Sequence, residues 1–268
     1  MIANARMYAV TPEVEAAWQE VIAGVCRAAD VECDYWPYPA PQPLEPLWQR
    51  SDLGCVFMCG YPIALKLADV VPLAAPIPAA PWSGGRAVYR TDLIVRADAP
   101  FQTLEETFAG RLGWTVAHSH SGFNALRHHL LAYRGPGQSK LYKSVTGNLI
   151  TARRILDEVL AGGIDIGPLD AYWHLLLAAS RPDLTAGIRV IASTAVAPMP
   201  AFVASAGTDP QMITRLRSAF AQAHTQAWFA PLAKRLLITG FQAMDHDAYA
   251  TTLAWDNGAK AAGYPLPA

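Results

Sequence analysis

The chain has 268 residues, of which 52% are hydrophobic and 16% are charged. That length suits two lobes of roughly 100–150 residues each, and the apolar content is enough for packed cores, which excludes a disordered chain. With 21 basic and 22 acidic residues the formal net charge is −1. This balance excludes the basic surface that nucleic-acid binding requires.

The start of the chain, MIANARMYAVTPE, shows no charged segment followed by an apolar one, so we expect no signal peptide in this sequence. No run of about 18 apolar residues occurs, and the richest apolar stretch, 70–81, contains four prolines, so we expect no membrane insertion. Both a cytoplasmic location and a mature exported form agree with these features.

The cysteines are Cys26, Cys33, Cys55 and Cys59. Cys55 and Cys59 have no second ligand pair at zinc-like spacing, and all four lie in apolar segments, which favours buried free thiols and no metal site. A bridge from Cys33 to Cys26 or to Cys55 is the alternative, and it would indicate an oxidising compartment.

The first third of the chain alternates strands and helices. Thr11 is expected to cap a helix that begins at Pro12, because proline is favoured at the first helical position. The continuous apolar run LGCVFM is typical of a parallel strand buried on both faces. The β-α-β-α-β order predicts a mostly parallel sheet with right-handed crossovers. The predicted strands are 6–10, 31–35 and 53–58, and a short helix is predicted around 47–50.

The middle third repeats this plan, and the last part is predicted to be helical without strands of its own. Thr146 or Asn148 is expected to cap the helix at 150–160. The predicted strands are 88–96, 112–117, 164–167, 189–193 and 202–204. The predicted helices are 103–106, 122–133, 150–160, 171–179, 210–229, 232–239 and 248–261.

The simplest packing sends the C-terminal helices back over the first α/β unit. The predicted first lobe is therefore discontinuous, residues 1–91 with 204–268, and 92–203 form an inserted second lobe. Two crossovers between lobes make a hinge, and a ligand site is expected in the cleft between them. The fold class is a two-lobed α/β protein whose lobes are each a mixed, mostly parallel sheet flanked by helices.

The turn Ser119-His120-Ser121-Gly122 precedes the predicted helix 122–133. A helix N-terminus presents N–H groups and a positive dipole end, two serines add hydroxyl donors, and glycine lets a ligand approach the backbone. Such a turn binds phosphate-, phosphonate- or carboxylate-like groups. The alternative is that one of the serines only caps the helix.

Further candidate ligand residues follow predicted strands or precede the first crossover. Asp170 either caps the next helix or accepts a hydrogen bond from a ligand amine or hydroxyl, and Asn148 has the same two interpretations. Tyr61 follows a buried strand, where side chains of open α/β sheets reach a ligand. Trp82 and Tyr89 precede the crossover and either wall the site or belong to the core.

No metalloprotease, nucleophile-elbow, Walker or dinucleotide-binding motif occurs in the sequence. His120 is flanked by serines, but sequence neighbours rarely face one another for proton transfer, so no triad is predicted. We expect no catalytic residue and no cofactor.

Three stretches carry a resemblance to a known family: TVAHSHSGFNALRHHL, VTGNLITARRILDEVLAGGIDIGPLDAYWHLL and IRVIASTAVAPMPAFVAS. In order and spacing they resemble the periplasmic phosphate/phosphonate-binding proteins of ABC transporters, over about residues 89–205. The resemblance implies a type II periplasmic-binding fold, a periplasmic location and an ABC permease as partner. We expect a monomer that binds a small molecule.

In that family a Ser-Thr-Ser-Gly turn holds the oxyanion, which implies ligand roles for Ser119, His120 and Ser121, with His120 in the place of the threonine. The resemblance also implies Asp170 as the partner of a ligand amine or hydroxyl, and Tyr89 as the pre-hinge tyrosine. The chain departs from the family where Asn148-Leu149 stands in place of a histidine that helps to hold the phosphonate. The tyrosine-bearing turn of the family is also replaced, by the loop 36–43. A carboxylate, a neutral polar metabolite or an amine-bearing compound is therefore an alternative ligand.

The function predicted is capture of a small polar ligand, a phosphate/phosphonate-like oxyanion or a related metabolite, for an ABC transporter. One alternative is an enzyme on the same fold, of the thiamine-pyrimidine-synthesis or menaquinone-pathway kind, with His120 and Asp170 as its titratable pair. The other is a cytoplasmic small-molecule sensor that docks on a partner through an exposed apolar patch.

Overall fold

A computed structural model of the chain describes residues 1–135 and 140–268. The α-helices are α1 (Pro12–Ala29), α2 (Glu45–Trp48), α3 (Gly60–Ala64), α4 (Ala125–Leu131), α5 (Ala152–Leu160), α6 (Ala171–Ser180), α7 (Pro182–Thr185), α8 (Pro210–Gln222), α9 (Phe229–Leu236) and α10 (Ala250–Ala261). The strands are β1 (Ile2–Asn4), β2 (Asp34–Tyr35), β3 (Leu53–Met58), β4 (Val70–Pro78), β5 (Val88–Tyr89), β6 (Thr91–Arg96), β7 (Arg111–Gly113), β8 (Ser144–Thr146), β9 (Gly167–Asp170), β10 (Ile188–Ser193), β11 (Ala197–Pro198), β12 (Ala201–Ser205) and β13 (Ile238–Ala243). Within the described ranges, no helix combines the length and the apolarity needed to cross a bilayer.

The chain divides into two compact units. The first comprises Met1–Tyr89 and Pro198–Ala250, and the second comprises Arg90–Ala197 and Thr251–Ala268. The sequence assigned the whole C-terminal part to the first lobe, whereas the last 18 residues belong with the second unit. The reason is an ion pair from Asp256 of α10 to Arg127 of α4, and the packing of Tyr264 in the core of that unit.

The first unit contains a mixed sheet with the strand order β13-β4-β12-β3-β1-β2. β1 runs parallel to both β2 and β3, which is the parallel part that the β-α-β pattern predicted. β12 is antiparallel to β3 and β4, and β13 is antiparallel to β4. The predicted predominance of parallel pairing is therefore not observed, because the strands that return from later in the chain run the other way.

Two strands of this sheet were absent from the sequence prediction. β13 begins at the end of the predicted helix 232–239 and continues beyond it, and β4 covers most of the apolar stretch that contains four prolines. The prolines of β4 are Pro72, Pro76 and Pro78. The register with β12 shifts between Ala74 and Pro72, where β4 carries one extra residue. Despite its prolines, β4 pairs with β12 on one edge and with β13 on the other.

An aromatic stack joins α1 to the sheet of the first unit. Trp18 on α1 packs edge-to-face on Phe57 of β3, with ring centroids 5.0 Å apart. Phe57 stacks on Phe202 of β12 at 3.8 Å, and Phe202 in turn stacks on Phe220 of α8 at 5.1 Å. The predicted start of α1 is confirmed, since Thr11 Oγ1 accepts a hydrogen bond from the backbone N of Val14 at 3.3 Å.

The segment 6–10 is not the strand that was predicted. A 3-10 turn covers Arg6–Tyr8, and the strand lies earlier, at β1. Asn4, the last residue of β1, accepts a hydrogen bond at Oδ1 from the backbone N of Arg6 (2.9 Å), and this local bond turns the chain out of the sheet.

The second unit contains an antiparallel sheet, β10-β6-β9, and a parallel pair, β7-β8. A π-helical turn, His120–Asn124, follows β7 and continues directly into α4. The strand predicted at 164–167 lies three residues later, at β9. The hydrophobic core of this unit consists of Leu93, Val95, Leu104, Leu112, Trp114, Phe123, Leu126, Leu130, Leu141, Tyr142, Ile166 and Tyr264.

The cysteines are free thiols. Cys26, Cys55 and Cys59 are buried, as predicted, whereas Cys33 is only half-buried.

Candidate ligand-binding site

The serine turn predicted from the sequence lies in the second unit, at the start of the π-helical turn. Ser119 Oγ accepts a hydrogen bond from the backbone N of Gly122 at 3.0 Å, so the capping role of Ser119 is confirmed. The backbone O of Ser119 accepts from the N of Asn124 at 3.0 Å, which closes the wider ring of a π-turn, a feature often found at functional sites. A hydroxyl that accepts retains its own hydrogen to donate. Ser119 and Ser121 are both half-buried.

The side chain of His120 lies inside the second unit. The residue is 2% exposed, its ring stacks on Trp255 of α10 at 5.2 Å, and its Nδ1 lies 3.3 Å from Asn124 Nδ2. His128 stacks on the same indole at 4.5 Å. Burial, and then the nearby His128, lower the pKa of His120 to about 3, so the ring is neutral. This position favours anchoring of the turn over ligand contact, and the ligand role of His120 stays a prediction.

Gly122 is required by packing against Thr115. A Cβ added at Gly122 would overlap Thr115 Oγ1 and lie 2.9 Å from both Thr115 Cβ and Cγ2. The backbone N of Thr115 also donates to the O of Gly122 at 3.2 Å. Thr115 therefore already fills the space beside the Cα of Gly122, and the ligand role of Gly122 stays a prediction.

We expect Gly122→Ala to lower the free energy of unfolding by about 1–3 kcal/mol, the usual penalty for overpacking, and to displace the serine turn. Urea denaturation measures the change. Gly207→Ala is the matched control, since nothing lies within 4 Å of its added Cβ, and we expect it to stay within about 0.5 kcal/mol of the parent. Equal stability of the two variants would contradict the packing argument.

β6 brings two predicted parts of the site together within the second unit. Thr91, the first residue of β6, pairs with Asp170 at the end of β9, and Thr91 Oγ1 donates to the backbone O of Ser121 at 3.1 Å. Asp170 caps α6, because its Oδ1 accepts from the backbone N of Tyr172 (2.9 Å) and of Trp173 (3.0 Å). The capping interpretation of Asp170 is thus confirmed. Thr91, at one end of β6, therefore links the serine turn, through its side chain, to Asp170, through the pairing of β6 with β9.

A polar cluster centred on Asp92 adjoins this point, and the sequence analysis missed it. Asp92 is 5% exposed. Its Oδ1 accepts from Ser193 Oγ (2.8 Å) and from Arg90 Nε (3.2 Å), and its Oδ2 lies 3.1 Å from His174 Nδ1. One feature of the sequence could have indicated this cluster: Asp92 is an acidic residue inside the apolar strand TDLIVR. A buried carboxylate requires hydrogen-bonding or charged partners. Two of its partners, Ser193 and His174, come from distant segments, so spacing alone does not reveal them.

Asn148 is exposed and takes a left-handed backbone conformation, with φ of 56°. It does not cap α5, nor does Thr146, which lies in β8. The cap is Thr151, whose Oγ1 accepts from the backbone N of Arg154 at 3.1 Å. A second left-handed residue, Ile150, follows Asn148, and the two together delay the start of the helix. A ligand role for Asn148 stays a prediction.

The three predicted aromatic residues lie in the first unit. Tyr61 is buried in α3, and Tyr89 is buried with its OH 3.9 Å from Cys59 Sγ. Trp82 is half-buried in a 3-10 turn, Pro81–Ser83. Their ligand roles stay predictions.

The fold matches solved protein structures over nearly the whole chain. A binding protein component of an ABC phosphonate transporter from Pseudomonas aeruginosa has a TM-score of 0.80 at 15% identity, covering 97% of this chain and 86% of that chain. PhnD1 from Prochlorococcus marinus, in complex with methylphosphonate, has a TM-score of 0.77 at 13% identity, covering 97% of both chains. A Xanthomonas citri protein bound to ATP has a TM-score of 0.65 at 18% identity, again with 97% of both chains covered. The fold is that of the type II periplasmic-binding proteins, as predicted.

The sequence identifies the family within that class. The family model of the periplasmic substrate-binding proteins of ABC phosphonate transporters matches residues 9–249. The chain belongs to this family, which confirms the predicted solute-binding class. A comparison with curated proteins finds no match.

Proposed function

We propose that the chain binds a small phosphonate- or phosphate-like oxyanion outside the cytoplasm, as a monomer, and delivers it unaltered to an ABC permease. Family membership over residues 9–249 supports the transport role. The observation that carries the ligand class is the link that Thr91 makes between the serine turn and Asp170.

The donors of this site are neutral, because the turn SHSG contains no lysine or arginine. Hydroxyl and amide hydrogens would hold the oxygens of the ligand. Asp170 supplies an acceptor beside them, and a carboxylate repels a fully deprotonated oxyanion. The ligand therefore carries a hydrogen for Asp170, from an amine, a hydroxyl or a protonated phosphonate oxygen.

The enzyme alternative nominated His120 and Asp170 as its titratable pair, and the geometry disfavours that role. A general base must reach the substrate and have a pKa near the working pH. The His120 ring is buried against Trp255, and its pKa is lowered to about 3. Binding without turnover is the better proposal for this site.

Calorimetry with methylphosphonate, aminoethylphosphonate, phosphate and sulfate tests the proposal. We expect one phosphonate to bind with one-to-one stoichiometry and to be recovered unchanged by phosphorus NMR. We expect sulfate to bind more weakly, since it offers no hydrogen to Asp170 near neutral pH. Consumption of a ligand would favour the enzyme, and failure of every oxyanion to bind would overturn the ligand class.

Ser121→Ala is expected to weaken phosphonate binding by about 1–3 kcal/mol, the penalty for leaving a buried polar group of the ligand unpaired. The fold of the turn should persist, because Thr91 contacts the backbone O of Ser121 and not its hydroxyl. Ser218→Ala, an exposed serine of α8, is the matched control and should bind as the parent does. Equal affinities in the two variants would remove Ser121 from the site.

A further inference from the structure

Three cysteines that are far apart in sequence meet inside the first unit. Cys26 lies on α1, Cys33 lies just before β2, and Cys55 lies in β3. Their Sγ atoms all lie within 4.8 Å of one another. Cys26 and Cys55 are buried, Cys33 is half-buried, and all three are free thiols. The cluster is thus largely shielded from solvent, and Cys33 is its most exposed member.

The backbone around the cluster provides room for the three sulfur atoms. α1 ends at Asp30 in the left-handed conformation, and the backbone N of Val31 donates to the O of Cys26 at 3.0 Å, so the chain turns back toward Cys26 before it reaches Cys33. The register between β1 and β3 shifts at Gly54, and a Cβ added there would overlap Cys33 Sγ. A glycine at this bulge therefore makes space for the third thiol.

We propose that Cys26, Cys33 and Cys55 form a three-coordinate thiolate site for a soft metal ion, with Cu(I) as the occupant. Soft sulfur ligands select Cu(I) and zinc among the common metals. With metal–sulfur bonds of about 2.3 Å, three trigonal ligands lie about 4 Å apart, so closure on an ion moves each sulfur by less than about 1 Å.

The number of ligands selects between the two metals. In the part of the chain that the structure describes, the cluster holds these three cysteines and no histidine or carboxylate. Structural zinc takes four protein ligands, whereas Cu(I) is satisfied by three thiolates. Binding displaces the thiol protons into solvent. The cysteine cluster lies in the first unit and the serine turn lies in the second. Failure of the metal proposal would therefore leave the proposed function unaffected, and the reverse also holds.

The test is Cu(I) retention by the fully reduced full-length chain under anaerobic conditions, without any oxyanion ligand, in competition with the chromophoric chelator bicinchoninate. We expect one copper per chain by elemental analysis and a first shell of three sulfur atoms by X-ray absorption. Cys33→Ser should lose at least tenfold in retention, and because Cys33 is half-buried this variant is expected to fold. Cys26→Ser and Cys55→Ala should also lose retention, with circular dichroism as the check on folding.

Cys59→Ser is the matched control, because Cys59 is a buried cysteine of the same unit outside the cluster. It should retain copper as the parent does. The proposal is overturned if the parent retains no copper, if Cys33→Ser retains as much as Cys59→Ser, or if a four-coordinate zinc ion outcompetes Cu(I). Thiol counting after isolation without reductant provides a further check. A Cys26–Cys33 or Cys33–Cys55 disulfide that forms again at once after reduction would also overturn the proposal, because the cluster would then be a redox pair.

Discussion

Asp256→Ala is expected to lower the free energy of unfolding by about 3–5 kcal/mol, because it would leave a buried guanidinium without its counter-charge. The side chains of Arg127 and Asp256 are each 2% exposed and form an ion pair between α4 and α10. Arg127 Nη2 also donates to Asn124 Oδ1 at 2.9 Å, and its Nη1 donates to the backbone O of Pro265 at 2.9 Å. These bonds position the guanidinium but do not neutralise it.

Urea denaturation of the variants measures this effect. Asp183→Ala removes an exposed partner of Arg181 and is the matched control, with an expected loss much smaller than that of Asp256→Ala, because solvent screens an exposed pair. The double variant Arg127→Met/Asp256→Leu should recover most of the loss, because it removes both charges together. A loss from Asp256→Ala no larger than that from Asp183→Ala would show that the buried pair does not hold α10 to the second unit.

The stability of the chain is expected to fall as the pH drops from about 6.5, and His120→Gln should remove part of that fall. Burial lowers the pKa of His120 in the folded state to about 3, below the ordinary value of 6.5. Between these values the unfolded chain binds a proton that the folded chain does not, so acid favours unfolding. The cost is about 1.4 kcal/mol per pH unit, or about 2 kcal/mol at pH 5.

The measurement is the difference between the unfolding free energies at pH 7 and pH 5, which cancels any loss of ring stacking that does not depend on pH. We expect this difference to be smaller by about 2 kcal/mol in His120→Gln than in the parent. His224→Gln, at an exposed histidine, should keep the parent's difference. If both variants keep it, the burial of His120 has no effect on acid stability.

Both experiments concern the surroundings of the proposed ligand site. Asn124 contacts Arg127 through its Oδ1, lies beside His120 through its Nδ2, and donates from Nδ2 to the backbone O of Thr252 at 2.8 Å. The serine turn is therefore supported by α10, and a variant that loosens α10 is expected to lower phosphonate affinity as well as stability.

Features that depend on neighbouring residues were predicted well. Thr11 and Pro12 mark the start of α1, and the apolar run LGCVFM forms β3. Asp170 caps α6, which is one of the two interpretations that the sequence allowed. A cap or a buried run is determined within a few residues, so the local sequence is sufficient. The resemblance to the phosphonate-binding family rests likewise on short ordered stretches, and the family match confirms it.

Pairings between distant segments were not predictable in the same way. In the proline-rich stretch 70–81 and in 238–243, no local sequence pattern indicates a pair of antiparallel strands. The pairing depends on residues of the partner strand, which is far away along the chain. The same holds for the polar cluster of Asp92 and for the attachment of α10 to the second unit.

The sequence by itself determined the class of protein, the start of α1, the strand β3 and the serine turn, since each depends on composition or on a few adjacent residues. Only the tertiary structure decided that Thr91 joins this turn to Asp170, that His120 faces inward, and that Cys26, Cys33 and Cys55 share one small space. The physical reason is that side chains meet through the register of strands and the direction of chain turns, which residues far away along the chain jointly determine.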